Sequence, residues 1–246
     1  MPSRERRRGG RQPAAADLLA GLEPGSVPDG FWHEDAAPVT RALLTSAVLC
    51  FARKGFHATT TRDITAAVGL SPGALYVHFA SKEDVLFEIT RTGHERALEA
   101  LQARAGESDS RRLVRGLVAG HVTWHARHHT VARVCQYELA ALAPQHLDTV
   151  LDLRQRFAGV LRSAVERGSR EGVFDVPDVN RAVRAILSLG IDLVRWYRLD
   201  GADSPEDLGD FYADLALRML GTLPSAARGS GRGSRTAGRR PRESPP

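Results

Sequence analysis

From Pro38 to Leu220 the apolar residues recur at helical spacing, and each interruption is a helix cap or a glycine stop. No stretch of strand length alternates β-branched and polar residues. That pattern restricts the chain to an all-α fold. The first helix is expected to open near Asp35 or Ala37, with Pro38 in its first turn, and to stop at Gly55. A short second helix starts at Thr60, where Asp63 completes a capping box, and ends by Gly69. A third runs from Ser71, with Pro72 at its first position, to about Phe79. Ser81 caps a long fourth helix from Lys82 to about Ala105, in which Gly93 costs about 0.5–1 kcal/mol relative to alanine. Further helices are expected near 109–128, 130–142, 145–171, 178–199 and 204–222. The result is a three-helix N-terminal head followed by a larger helical bundle.

Charge divides the 246 residues unevenly. Residues 1–12 carry +4 and residues 225–246 carry +5, so 13–224 is left at −4 within a total of +5. The ends, rich in Arg, Gly, Pro and Ser, lack the apolar content to order themselves and are read as disordered. Within the body one window, 38–82, is basic: Arg41, Arg53, Lys54, Arg62 and Lys82 face Asp63 alone. The expected divisions are a leader (1–35), a helical head (36–84), a larger helical bundle (85–223) and a basic tail (224–246). No run of apolar residues is long enough to span a bilayer, and Asp17 breaks the only apolar stretch of the leader. Cys50 and Cys135 stand alone, which fits a reducing cytoplasm and no structural zinc.

Two short helices joined through Val68-Gly69-Leu70-Ser71 form a helix-turn-helix, with Ile64, Val68, Leu70 and Leu75 spaced to pack them together. The chemistry around the turn suits duplex DNA. Thr60, Thr61 and Arg62 gather at one helix start, Ser71, Gly73, Ala74, Tyr76, Val77 and His78 lie along the next, and Lys82 opens the fourth. Hydroxyls and cations at helix N-termini clamp phosphates, and a glycine lets the backbone approach closely. Phe79 is assigned to the core.

The stretch Gly55-Phe56-His57-Ala58-Thr59-Thr60-Thr61-Arg62-Asp63-Ile64, followed by Val68 to Glu83 with its Leu75-Tyr76-Val77-His78-Phe79-Ala80-Ser81-Lys82, resembles the N-terminal domain of the TetR family of transcriptional regulators. The likeness covers about residues 38–88. It implies a homodimeric repressor of double-stranded operator DNA whose C-terminal domain binds a small effector. By this resemblance Thr60, Tyr76, His78 and Lys82 match phosphate-contacting positions, while Arg62, Gly73, Ala74 and Val77 match positions that face base edges. Arg62 is then the side chain suited to a hydrogen-bonded guanine contact. Thr65 stands where the family usually has alanine, and the leader is longer than usual.

The bundle carries His121, His125, His128 and His129. The first three fall at i, i+4 and i+7 on one face, which is ligand spacing for a metal, but no cysteine lies nearby and Glu138 would have to reach over from the following helix; pocket lining or surface histidines is the preferred reading and no metal or cofactor is assigned. His121, Trp124, His125, Cys135, Tyr137 and Glu138 are the candidate effector-binding residues. Around 131–142 and 192–220 the chain also looks like family members that control fatty-acid or steroid breakdown and answer to acyl-CoA thioesters, which implies an effector of that kind. Two apolar stripes are expected to build a four-helix dimer contact: Val179, Val183, Ile186, Leu187, Gly190, Leu193, Val194 and Tyr197, then Leu208, Phe211, Leu215 and Met219.

Two other classes compete with the ligand-responsive regulator. A helical enzyme or metal protein would use His121, His125 and His128, but the chain shows no nucleophile–base pair, phosphate-binding glycine loop or carboxylate set at metal spacing. A nonspecific DNA coater would work through the arginine-rich ends.

Overall fold

The computed structural model describes residues 27–28, 30–199 and 201–221; most of the expected leader and all but the first residues beyond Leu220 lie outside them. Among the described residues all regular structure is helical. The head comprises α1 (Pro38–Lys54), α2 (Thr61–Ala66) and α3 (Pro72–His78). The body comprises α4 (Lys82–Gln102), α5 (Ser110–Arg127), α6 (His129–Tyr137), α7 (Pro144–Arg170), α8 (Val179–Ile191), α9 (Leu193–Trp196) and α10 (Pro205–Met219).

The caps are the ones local chemistry demands. Gly55 takes φ of 78° and closes α1 with its N–H on the Phe51 carbonyl. At α2 the Thr60 hydroxyl accepts from Asp63 N while Asp63 accepts from Thr60 N, a complete capping box. Gly69, at φ of 69°, turns the chain so that Leu70 N reaches the Thr65 carbonyl and α3 can cross α2. At α4 the Ser81 hydroxyl accepts from Asp84 N and donates to Asp84 Oδ2.

Two departures from the expected helices have local causes. The segment 130–142 breaks after Tyr137 into a short 3₁₀ turn, Leu139–Ala141. The segment 178–199 bends at Asp192 into α8 and the single turn α9. Gly93 also finds its reason: a Cβ there would lie 2.7 Å from Cys135 Sγ, so the glycine lets α6 sit directly on α4.

Two apolar clusters hold the molecule together. The first joins Leu43, Val48, Phe51, Ile64, Leu75, Val85 and Ile89 to Val131, Val134, Cys135, Leu142 and Val150. The head therefore shares one core with α4, α6 and the start of α7, and position 84 marks no break in packing. The second cluster fills the distal body around Leu117, Leu161, Phe174, Ile186 and Leu193.

The first cluster also contains Phe31 and Trp32, each only 5% exposed, which corrects the reading of 1–35 as a free leader at this point. Trp32 Nε1 donates to Thr45 Oγ1 at 2.8 Å, and Arg96 Nε donates to the Phe31 carbonyl at 3.2 Å. Composition over the whole leader masks two aromatics whose burial is worth several kcal/mol.

The expected dimer stripes are corrected in part, since Phe211 and Met219 are exposed but most of the rest is not. Val183, Ile186, Gly190, Leu193, Val194, Tyr197 and Leu208 are buried in their own bundle, because amphipathic periodicity marks a core-facing side without saying whose core. The large apolar side chains left exposed on these helices are Leu189, Trp196, Phe211 and Met219.

Candidate DNA interface and effector cavity

The head presents a continuous outer surface. Thr60 and Arg62 are exposed at the start of α2, with Thr61 half-buried between them. Ser71, Gly73, Tyr76, Val77 and His78 are exposed on α3, Tyr76 at 57% and Val77 at 79%, and Ala74 is half-buried. An exposed tyrosine and valine side by side on one short helix are not core residues. Phe79, by contrast, packs against the head core, as expected. A Cβ at Gly73 would meet nothing within 4 Å, so the backbone there is open to an approaching surface.

Several of these side chains already have work. The Thr60 hydroxyl donates to Asp63 Oδ2 at 2.8 Å, and the Thr60 backbone N–H, followed by that hydroxyl and Lys54, holds the Asp63 carboxyl down to about 2. His78 Nδ1 lies 3.1 Å from Thr40 Oγ1, tying α3 to the start of α1. Lys82 is the largest surprise. Its Nζ donates to the carbonyls of Phe56 (2.7 Å) and Thr59 (2.6 Å) and sits 4.2 Å from the centre of the Phe56 ring. Two of its three hydrogens are thus committed to the loop between α1 and α2, and one is left for a phosphate.

Glu138 grips the same loop from the other side. Its Oε2 accepts from Phe56 N at 3.1 Å, so it belongs to the head–body joint and not to an effector pocket, which corrects the sequence-based placement. Tyr137 is likewise no part of the pocket: it is 52% exposed, with Arg133 over its ring. Both errors arise because α6 ends at Tyr137, so the residues there have turned away from the face that carries Cys135.

The remaining candidates do converge. His121, Trp124, His125 and Cys135 line an open-mouthed cavity of about 640 Å³ between α4, α5, α6, α7 and α8, a volume suited to a drug-sized ligand. Sequence reasoning missed His94 on α4 and the α7 arginines Arg154 and Arg162, which line it too. Their i, i+8 spacing along α7, on one face with Ala158, was the signal available.

The polar groups of this cavity are unusual. Burial pushes the imidazoles of His94 and His121 down to about 4 and that of His125 well below the ordinary value, so all are neutral at neutral pH. Arg154 bonds only Gln136 Oε1, at 2.9 Å, and desolvation lowers its pKa. Arg162 Nε is buried without a partner, and neither arginine meets a carboxylate among the described residues. Unpaired cations in a partly apolar cavity call for an anion.

The histidines do not form a metal site. His128 turns away to stack on Trp124, with ring centres 4.6 Å apart, and packs its other side against Phe31. Among the described residues the trio that brings potential ligand atoms together is Glu83, Asp84 and His146. Glu83 is occupied there in joining α4 to the start of α7 through Ala143 N and His146 Nδ1.

An exposed helix-turn-helix coupled through a shared core to a polar–apolar cavity defines a ligand-responsive, DNA-binding transcriptional regulator. Comparison with known proteins agrees. Residues 43–89 match the family model "Bacterial regulatory proteins, tetR family", and residues 107–220 match "Tetracyclin repressor-like, C-terminal domain". The chain is similar to the HTH-type transcriptional repressor KstR2 of Rhodococcus jostii, 31% identical over 182 residues that make up 72% of this chain and 89% of that one. It is also similar to a solved tetR-family regulatory protein from Rhodococcus RHA1 (37% identity, TM-score 0.73, 77% of this chain and 100% of that one). The ketosteroid transcriptional regulator KstR2 of Mycobacterium tuberculosis gives 28% identity and a TM-score of 0.70 over 76% of this chain and 96% of that one. The chain belongs to the TetR family. No described helix is long and apolar enough to cross a membrane.

Proposed function

We propose that this regulator is a homodimeric repressor that leaves its operator when an amphipathic anion, an acyl-CoA or a related lipid-like compound, enters the cavity. One observation carries the reading: the walls of the cavity and the grips on the head are the same helices. α4 lines the cavity with Gly93, His94 and Ala97 and begins with Lys82; α6 lines it with Ala132, Cys135 and Gln136 and is capped by Glu138. Both grips close on Phe56. A ligand that displaces either helix moves the loop feeding α2, and with it the spacing of two recognition helices that must match half-sites about 34–36 Å apart. The unpaired Arg154 and Arg162 support an anionic effector, and the relatives named for ketosteroid regulation support a lipid-like one.

In this reading Thr60, Thr61, Ser71, Tyr76, His78 and Lys82 hold phosphates, and Arg62, Gly73, Ala74 and Val77 face base edges. Leu189, Trp196, Phe211 and Met219 form the face that meets the second subunit. The test is fluorescence anisotropy on the regulator's own promoter. Arg62→Ala is expected to weaken binding and relax base preference, Tyr76→Phe to weaken it uniformly, and Phe211→Glu to yield monomers in light scattering. Undiminished, still sequence-specific binding by both head variants would overturn the site.

A further inference from the structure

Three imidazoles share the cavity, and each has spent its hydrogen. His94 Nδ1 lies 2.7 Å from the Thr90 carbonyl, His125 Nδ1 lies 2.9 Å from the His121 carbonyl, and His121 Nε2 lies 3.2 Å from the Leu187 carbonyl. A carbonyl can only accept, so in each ring the nitrogen that faces it carries the hydrogen. The rings are neutral, because burial holds them far below their ordinary pKa. Each second nitrogen is therefore a bare lone pair.

At His121 that lone pair is Nδ1, which is buried and has no hydrogen-bond partner. The opposite edge of the ring is pinned, since a Cβ on Gly190 would lie 2.4 Å from Nε2 and 2.5 Å from Cδ2. The ring cannot turn Nδ1 toward α8 without losing the Leu187 contact. Its neighbour His125, with ring centre 4.4 Å away, has no hydrogen left to offer. A buried acceptor without a donor is an unmet demand; Nδ1 is sealed here, but its ring lines the cavity, so a ligand that parts the side chains around the ring can meet that demand.

We infer that the effector carries a hydroxyl group that donates to His121 Nδ1, while its anionic end is taken by Arg154 and Arg162. The inference rests on the effector reading given above and adds the chemistry of the second anchor. The cavity then selects a hydroxyl over a ketone at that position. A ketone oxygen would set lone pairs against the lone pairs of the imidazoles, and a methylene would leave Nδ1 unpaired.

Matched probes decide the matter. Lithocholate is compared with its keto and deoxy analogues, and ω-hydroxydodecanoate with dodecanoate, by calorimetric titration of the full chain. In each series the hydroxylated member is expected to bind about tenfold tighter, as one satisfied buried acceptor implies. His121→Gln keeps a donor for the Leu187 carbonyl and an acceptor for the ligand, so it retains the preference; His121→Leu abolishes it. Melting curves and operator binding verify that both variants fold. Equal affinity for hydroxyl and keto probes in the unaltered protein, or an unchanged preference in His121→Leu, overturns the inference and leaves the effector reading intact. No binding by any of the probes overturns both.

Discussion

Replacing Lys82 with methionine keeps the aliphatic stem and removes every donor. Two carbonyls in the α1–α2 loop, Phe56 at 2.7 Å and Thr59 at 2.6 Å, lose charge-assisted hydrogen bonds, and the Phe56 ring loses a cation 4.2 Å from its centre. Charge-assisted bonds contribute about 1.5–3 kcal/mol each when buried. Lys82 is half-buried and the freed carbonyls regain water, so about 1 kcal/mol apiece is the right scale. The cation–π contact adds about 0.5 kcal/mol at such a site. The sum, about 2.5 kcal/mol, lowers the melting temperature by roughly 5–10 °C in a chain of this size.

The assay is thermal unfolding without DNA, followed by circular dichroism, together with the salt dependence of operator affinity. A drop in melting temperature establishes Lys82 as the strut between α4 and the head. An unchanged melting temperature with a salt slope reduced by about one would refute that reasoning, because it would make Lys82 a phosphate ligand and nothing more.

The contrast between Lys82 and Arg62 shows what sequence could and could not convey. Helix caps act within four residues, so Thr60–Asp63, Ser81–Asp84, Gly55 and Gly69 announced the head almost to the residue. The exposed outer side of the head was legible for the same reason, since α2 and α3 are short and the polar residues placed there are exposed or half-buried. The cavity was only half legible. His121, Trp124 and His125 share a helix and a periodicity, whereas His94, Arg154 and Arg162 arrive from α4 and α7, and nothing local in the chain pairs those helices. Glu138 and Phe31 fail in the same way. One reaches 82 residues back to Phe56, and the other is held by Arg96, 65 residues away. The apolar stripes of α8 and α10 were found correctly as stripes, but periodicity cannot tell a neighbouring helix from a second subunit.

Phe31→Ala is expected to lower stability by about 2–3 kcal/mol, less than a deep core truncation, because the segment can detach as a unit; chemical denaturation measures it, and a change under about 0.5 kcal/mol would show that the segment is not docked. Acid sensitivity follows from His94 and His121, whose folded pKa of about 4 lies below the ordinary 6.5. Between those values the unfolded chain binds protons that the folded chain refuses, so stability holds above about pH 6.5 and falls toward pH 4 by up to about 1.4 kcal/mol per unit and group. Urea midpoints at neutral and acidic pH test this, and His121→Leu flattens the slope. Glu138→Ala separates communication from binding. Cys135 stands in the cavity wall and Glu138 caps the same helix one turn later, so a ligand that shifts α6 by about half an ångström takes the 3.1 Å bond to Phe56 N beyond useful length. Without the carboxylate the head no longer registers that shift through the polar link to Phe56. Operator affinity in the absence of effector should stay within a few-fold, while the ratio of affinities without and with effector should fall several-fold, a coupling loss of about 1 kcal/mol. An unaltered ratio would show that the Glu138 bond carries none of the signal and would leave it to the Lys82 grip and the apolar core that α4 and α6 share with the head.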